Sequence, residues 1–471
     1  MKAIATLRRS GALLIASALC GCALSPPPTA QDLQKEVLPQ AQLPSTFKGA
    51  ASTDPVPDRW LASFGDPALD SLVVQAMAYN ADLRIAAARV EQAAGYVKVA
   101  SGALLPSVGV VGLGGGKSGG GGGLDGVFLN ASLELDVWGR LRYGQAASEA
   151  QLEAAQADYA YARQSLAAMV AKAWFLAVEA GLQRGIAREA LQAAQTLAQV
   201  ADDRLRVGSG SGVAAAQARA NVGSYRDTLR QVEFSREQAM RALELLVGRY
   251  PAAEIAVADT LSSMPPPLPV GVPSSLLERR PDVVAAERRV AVAFDRVGEA
   301  KAAQLPRISL TAGGSNVSSD LIVLKDVSNP VWSLGANLIA PIYQGGALRA
   351  QVEIRTAEQK QAVAEYARAG QKAFSEVENA LGAEAALRER SAILTENVRD
   401  NEEALRLAQV QYRVGAGDMN TVSQSQLLLY VARTARLRVQ SEQLAQRANL
   451  YLALGGGYDE QPSLHTGLTE R

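Results

Sequence analysis

"VFLNASLELDVW", residues 127–138, alternates at nearly every position. Val127, Leu129, Ala131, Leu133, Leu135 and Val137 fall on one side, and Phe128, Asn130, Ser132, Glu134 and Asp136 on the other. A side-chain period of two is a β-strand, because successive Cβ atoms point to opposite faces of the pleat. "RISLTAG" (307–313) repeats it, with Ile308, Leu310 and Ala312 opposing Arg307, Ser309 and Thr311. "WSLGANLIAPI" (332–342) sets Trp332, Leu334, Ala336, Leu338, Ala340 and Ile342 against Ser333, Gly335, Asn337 and Ile339. "SVGVVGL" (107–113) is a weaker fourth case. Strands of about ten residues with one apolar face suit either a soluble sandwich or the wall of a transmembrane barrel, apolar side to lipid. The rest of the chain decides between them.

Between the first two strands lies "GLGGGKSGGGGGL" (112–124). Gly116, Lys117 and Ser118 look like the end of a phosphate-binding loop, but the first glycine of that motif would stand at 111, which is Val111. A helix N-terminus should follow to face the phosphates, and Gly119 to Gly123 is a poor helix start. The tract therefore reads as the solvated outer loop of a β-hairpin over 107–138. A second hairpin over 307–342 has its loop near 315–330.

Composition removes several function classes. The 471 residues carry 47 Lys+Arg and 47 Asp+Glu, so there is no basic footprint for nucleic acid. Aromatics are 5%, too few for base-stacking platforms. The single histidine, His465, and the two cysteines, Cys20 and Cys22, exclude a histidine-based triad and multi-histidine or cysteine-based metal sites in the body of the chain. No catalytic residue, metal site or cofactor is expected.

The N-terminus carries Lys2, Arg8 and Arg9, then "GALLIASAL", an apolar core too short to span a bilayer. This is a secretory signal over 1–21. Its end, "LCGC", resembles a lipobox and marks Cys22 as the lipidated residue; Ala23 rather than Asp after it resembles lipoproteins sorted to the outer membrane. "SPPPTAQ" follows as an extended tether. No other apolar run of about 18 residues stands out, so a membrane crossing must be a β-barrel.

The chain repeats itself. "ARVEQAAGYVKVASGALLP" (88–106) lies over "RRVAVAFDRVGEAKAAQLP" (288–306), and "RLRVGSGSGVAAAQ" (204–217) over "QYRVGAGDMNTVSQ" (411–424). Each half runs helix, Leu-Pro, strand, loop, strand, then a long helical region broken once. An alanine-rich helical pattern spans about 144–206, roughly 90 Å at 1.5 Å per residue. In its last part Ala187, Leu191, Ala194, Ala198, Ala201 and Leu205 step by four and three; Leu394, Val398, Asn401, Leu405, Ala408 and Tyr412 keep the same register 207 residues on. That is a heptad seam in both halves. Gly208 and Gly415 then fit the left-handed C′ position, and Ser211 and Asp418 fit the following N-cap. Each half therefore holds an antiparallel helical hairpin with a tight tip. Four strands cannot close a barrel and would leave edges in lipid, so other copies must complete it.

Taken together, "LCGC", "DRWLASFGDPALDSLV", "LDVWGRLR", "RALELLVGRYP", "LLERRPDVVAAERRV", "LPRISLTAGG", "PIYQGGALRAQV" and "YLALGGG" resemble the TolC-like outer-membrane efflux proteins, in particular the lipoprotein branch serving resistance-nodulation-division pumps. The resemblance implies a mainly α fold with a membrane β-barrel. Duplicated half-protomers give four strands to an intermolecular barrel and long helices to a periplasmic α-barrel. It implies a homotrimer that is anchored in outer-membrane lipid and works with a periplasmic adaptor (membrane fusion) protein and an inner-membrane transporter. On that pattern 22–75 is the lipidated tether and equatorial segment, 76–248 the first repeat, 249–280 an equatorial linker, 281–454 the second repeat and 455–471 an equatorial tail. The tips near 208–213 and 415–420 would meet the adaptor and close the tunnel at rest. The matching aperture positions are Ala214, Tyr412, Asn420, Thr421 and Gln424, without the charged residues common there. Glu134 and Asp136 are expected to face the barrel lumen. The expected function is a passive exit duct for drugs or other small solutes. Two alternatives are the duct of a protein-secretion system, which shares the fold, and a periplasmic coiled-coil adaptor, which would lack the two β-hairpins.

Overall fold

The four alternating stretches form one antiparallel sheet in the computed structural model, which describes residues 24–29, 31–33, 46–48, 59–113, 125–318 and 331–457. Its strands are β1 (Ser107–Leu113), β2 (Asp125–Leu135), β3 (Arg307–Ser318) and β4 (Val331–Ile339), in the order β1-β2-β3-β4. The register stacks like on like. Val108 faces Ala131, which faces Ala312, which faces Leu334; Val110, Leu129, Gly314 and Trp332 form a second row. The sheet thus has one continuous apolar face, and Leu334 on it is 87% exposed. The other face is polar and narrow-shouldered. Ser107 and Ser132 share a 2.9 Å hydrogen bond, and Thr311 and Gly335 follow in the same row. Gly109 leaves room for Asn130, whose Oδ1 a Cβ would approach to 3.1 Å.

The second strand of each hairpin ends sooner than the alternation predicts. β2 stops at Leu135, because the Asp136 carboxylate turns to accept the N–H groups of Leu141 and Arg142, 2.9 Å each, at the start of the next helix. β4 stops at Ile339, two residues before Pro341, which has no N–H for a ladder.

The helices are α1 (Pro67–Tyr79), α2 (Ala81–Gly102), α3 (Arg140–Arg206), α4 (Gly212–Leu246), α5 (Pro273–Arg279), α6 (Pro281–Ala302), α7 (Ala347–Arg413) and α8 (Met419–Ala453). A 3₁₀ turn, Trp60–Phe64, precedes them. The halves match to the residue: α3 and α7 have 67 residues each, α4 and α8 have 35, and α2 and α6 have 22. Equal lengths on that scale mark a duplication, and 67 residues of helix is about 100 Å. α3 also holds an 18-residue window of mean hydropathy 1.4, a stretch the sequence reading passed over; 56% of it is buried within the protein, which accounts for its apolarity.

The chain forms two units. The first (1–42, 87–158 and 282–369) holds the sheet and the adjoining helix ends. There α6 lies directly on α3: a Cβ on Gly298 would stand 2.6 Å from the Tyr143 ring, so only glycine allows the approach. Arg288 pairs with Glu153 and Arg289 with Asp158 across the same contact. Trp138 anchors the strand–helix corner by donating to the Pro306 carbonyl at 2.7 Å.

The second unit (43–86, 159–281 and 370–471) holds the rest of the long helices. Trp60 stacks on Tyr451 at 5.2 Å, Phe64 meets Phe175 at 5.1 Å, and Trp174 donates to Asp66 at 2.8 Å. Three buried charges hold the non-helical segments. Glu244 accepts the N–H groups of Ala253, Glu254 and Ile255 at 2.7–2.9 Å. Arg447 bonds Glu384 and the carbonyls of Pro265 and Pro266. Arg280 bonds Glu376 at 2.7 Å and the Ala453 carbonyl at 3.1 Å. Charges taken this far from water persist only when so paired.

Candidate functional site

The two helical tips are built from one rule applied twice. Gly208 has φ 74° and Gly415 φ 79°, the left-handed region where glycine is favoured. Each closes a Schellman turn. Ser209 N–H bonds the Arg204 carbonyl at 2.9 Å and Gly208 N–H that of Leu205 at 3.1 Å; Ala416 and Gly415 repeat this on Gln411 and Tyr412 at 2.9 and 3.2 Å. Ser211 caps α4 by accepting from Val213 N–H at 3.2 Å, and Asp418 caps α8 by accepting from Thr421 N–H at 2.8 Å.

Sequence reasoning missed the second glycine of each turn. Gly210 has no positive φ, yet a Cβ there would stand 2.8 Å from Leu205 N and 2.9 Å from the Arg204 carbonyl carbon. A Cβ on Gly417 would likewise stand 3.1 Å from Gln411 Cβ and 3.2 Å from Tyr412 N. The shared Val-Gly-x-Gly spelling, at 207–210 and 414–417, was the available signal.

The tips are not independent. Leu197, Ala198, Ala201, Ala215, Ala218, Ala408, Met419 and Val422 form one buried cluster from all four long helices. The alanines let the backbones close up; the heptad positions Ala198 and Ala201 lie in this core, and Ala194 is buried as well. Arg204 locks it from the side. Its guanidinium lies 4.2 Å from the Tyr412 ring centroid and donates to the Tyr412 carbonyl at 2.8 Å. That carbonyl ends a helix, where a cation is favoured.

The five aperture candidates separate into two groups. Ala214 and Tyr412 pack against the buried cluster. Asn420, Thr421 and Gln424 are exposed and line a groove of about 720 Å³ between α4 and α8, with Gln217, Asn221 and Ser224 opposite. Among the described residues, no charged side chain lines it. Tyr225 and Tyr430 meet edge-on at 6.0 Å at its end, and burial followed by the neighbouring Tyr430 pushes the Tyr225 phenol up. The groove therefore offers hydroxyls and amides at neutral pH.

Glu134 and Asp136, the expected lumen-facing charges, are both paired. Asp136 lies beyond the end of β2 and caps α3, as above, while also pairing with Arg142 at 3.2 Å. Glu134 is on the polar face of β2, opposite Ser309, but Arg140 grips it through three contacts of 2.8–3.1 Å. Both carboxylates are committed to the strand–helix corner. Cys22, the glycine tract 114–124, the loop 319–330 and residues 458–471 lie outside the described residues. Among the described residues, no group of three His, Cys, Asp or Glu side chains is placed to hold a metal.

An amphipathic four-stranded sheet joined to paired 67-residue helices with matched tips is a specific combination, and the chain matches the profile described as outer membrane efflux protein over residues 72–249 and 272–456. The chain belongs to the outer membrane efflux protein family. It is 30% identical over 461 residues to the cation efflux system protein CusC of Escherichia coli, covering 95% of this chain and 98% of that one. It is 32% identical over 476 residues to the pyoverdine export outer membrane protein OpmQ of Pseudomonas putida, covering 96% and 98%. Among solved structures, the open state of the MtrE outer membrane channel of Neisseria gonorrhoeae superposes with a TM-score of 0.79 at 28% identity, covering 93% of this chain and 98% of MtrE. The chain is accordingly an efflux channel of the outer membrane with a periplasmic helical tunnel, and the coiled-coil adaptor reading falls away.

Proposed function

We propose that three copies of this chain form a lipid-anchored, passive exit duct for small solutes, working with a periplasmic adaptor and an inner-membrane resistance-nodulation-division transporter. The open-edged sheet carries the reading. β1 and β4 stand at its edges with one apolar face on a four-strand sheet, and three such sheets edge to edge make a twelve-stranded barrel with no edge left in lipid. The segments beside Trp60, 249–280 and 455–457 form an equatorial belt around the helices; Arg59 N–H to the Gly457 carbonyl at 2.8 Å and Arg279 to the Gly455 carbonyl at 3.2 Å support this. Cys22 carries the lipid, and the chain has no enzymatic role of its own. The tips form the resting aperture: the shared alanine core and the Arg204–Tyr412 contact hold it closed, and the adaptor opens it.

The cargo is of the small-solute kind. The relatives are named for cation efflux and pyoverdine export, and the uncharged groove beside the tips imposes no charge selection. Deleting the gene should raise cellular accumulation of a fluorescent efflux dye, and the full chain should restore export. Restoration by a chain that never forms an outer-membrane trimer would defeat the proposal. Cys22→Ser should abolish lipid labelling and Cys20→Ser should not.

A further inference from the structure

The second unit contains a concentration of arginine that neither the tips nor the sheet uses. A groove of about 500 Å³ between α3 and α8 is lined by Arg184, Arg188, Arg433 and Arg436. A fifth arginine reaches it from α4: Arg236 Nε would stand 3.9 Å from a Cβ on Gly181, which also lines the groove. Two of the five are engaged. Arg188 pairs with Glu233 at 3.4 Å, and Arg433 is shared by Glu402 at 2.8 Å and Glu189 at 3.1 Å.

Two of the other three are under-satisfied, and the third sits among like charges. The Nε atoms of Arg236 and Arg436 are buried and meet no hydrogen-bond acceptor. Burial and then the like charges of Arg236 and Arg188 pull the Arg184 guanidinium below its usual range, against the weaker opposing pull of Glu233 and Asp259. Asp259 is the one further acid on the lining among the described residues, so the groove sets five arginines against Glu189, Glu233, Glu402 and Asp259. A buried guanidinium N–H without an acceptor costs on the order of 1–3 kcal/mol. An arrangement that leaves two such groups beside a third cation is set up for an anion from outside.

We propose that this groove is a binding site for a phosphate-type oxyanion, held by Arg184, Arg236 and Arg436. Guanidinium forks match the tetrahedral oxygens of phosphate in bidentate fashion, which a single lysine-type point charge does not. Five guanidiniums against four carboxylates leave a surplus of one positive charge, which favours an anion, and the fork geometry selects an oxyanion over chloride. The groove is larger than a bare anion, so phosphate carried on a small solute also has room.

The test uses the intact trimer in detergent. Its thermal unfolding is followed in sodium pyrophosphate and in sodium chloride at matched ionic strength. Pyrophosphate should raise the melting temperature and chloride should not, as a ligand binding only the folded state must. The Arg184→Gln/Arg436→Gln variant should lose the shift. Arg219→Gln, which alters an exposed arginine paired with Asp202, should keep it. If the double variant yields no trimer, Arg236→Gln and Arg436→Lys carry the same comparison, each with a reduced shift. Glucose 6-phosphate then distinguishes a bare anion from a carried one: a response to pyrophosphate alone marks the first, and a response to both marks the second. Equal melting temperatures in pyrophosphate and chloride, or an unchanged shift in the arginine variants, would overturn the proposal.

Discussion

Two glycines two residues apart answer to different physics at the first tip. Gly208 needs its positive φ and has open space around it, so Gly208→Ala should cost only about 1 kcal/mol of backbone strain. Gly210 needs its missing side chain, because a Cβ would press on the backbone of Arg204 and Leu205. Gly210→Ala should therefore loosen the turn more than Gly208→Ala, seen as faster amide exchange over 204–213 and a higher resting conductance in planar bilayers. Equal behaviour would mean the close approach is relieved by a small backbone shift. A second residue-scale effect concerns Asp295, which is 4% exposed. Burial first, aided by Glu149 and opposed by Arg296, raises its carboxyl from 3.8 to about 6. The folded state then holds a proton that the unfolded state has released, so this group's contribution falls as pH rises from about 4 to about 6. Asp295→Asn should make the protein more stable than wild type at pH 7.5 and flatten that part of the pH profile, as read by thermal melts at pH 5 and 7.5.

At the scale of elements, the tip hairpins depend on alanines that let four helices converge. Ala215 is fully buried, so Ala215→Leu forces extra volume into a filled core at about 1–3 kcal/mol. Trimer yield should survive, since the sheet lies in the other unit, while resting conductance should rise as the tips part. The linker after α4 has its own anchor. Glu244→Ala removes one acceptor from three backbone N–H groups at a cost of about 3 kcal/mol, and limited proteolysis should then cut near 249–258 where wild type resists. Resistance in the variant would show that the Pro265 and Pro266 contacts to Arg447 hold the segment alone.

For the molecule as a whole, assembly in lipid is governed by which face of the sheet a residue occupies. Leu334 and Asn337 sit three residues apart on β4, on opposite faces. Leu334→Arg puts a charge on the apolar face, costing about 2–4 kcal/mol near the bilayer midplane. It should deplete the outer-membrane trimer on semi-native gels. Asn337→Arg, on the polar face, should leave the trimer intact and alter ion selectivity. Loss of trimer in both would mean the polar face is packed rather than wet.

Periodicity was enough to place both hairpins, the seam and the tips, because each is a local rule: alternation of two, steps of three and four, glycine where φ is positive. The match between halves made those rules legible twice, as with Gly208 and Gly415. What stayed hidden depends on partners distant in the chain. Asp136 continues the alternation of 127–138, yet it leaves the strand because the N–H groups of Leu141 and Arg142 need an acceptor. Tyr412 keeps the seam register, but only folding brings Arg204, 208 positions away, onto its ring. Arg184, Arg236 and Arg436 look like ordinary solvated charges on three separate helices. Tertiary structure alone gathers them around one groove and buries the Nε atoms of two of them, because burial and like-charge proximity are properties of a place and not of a residue.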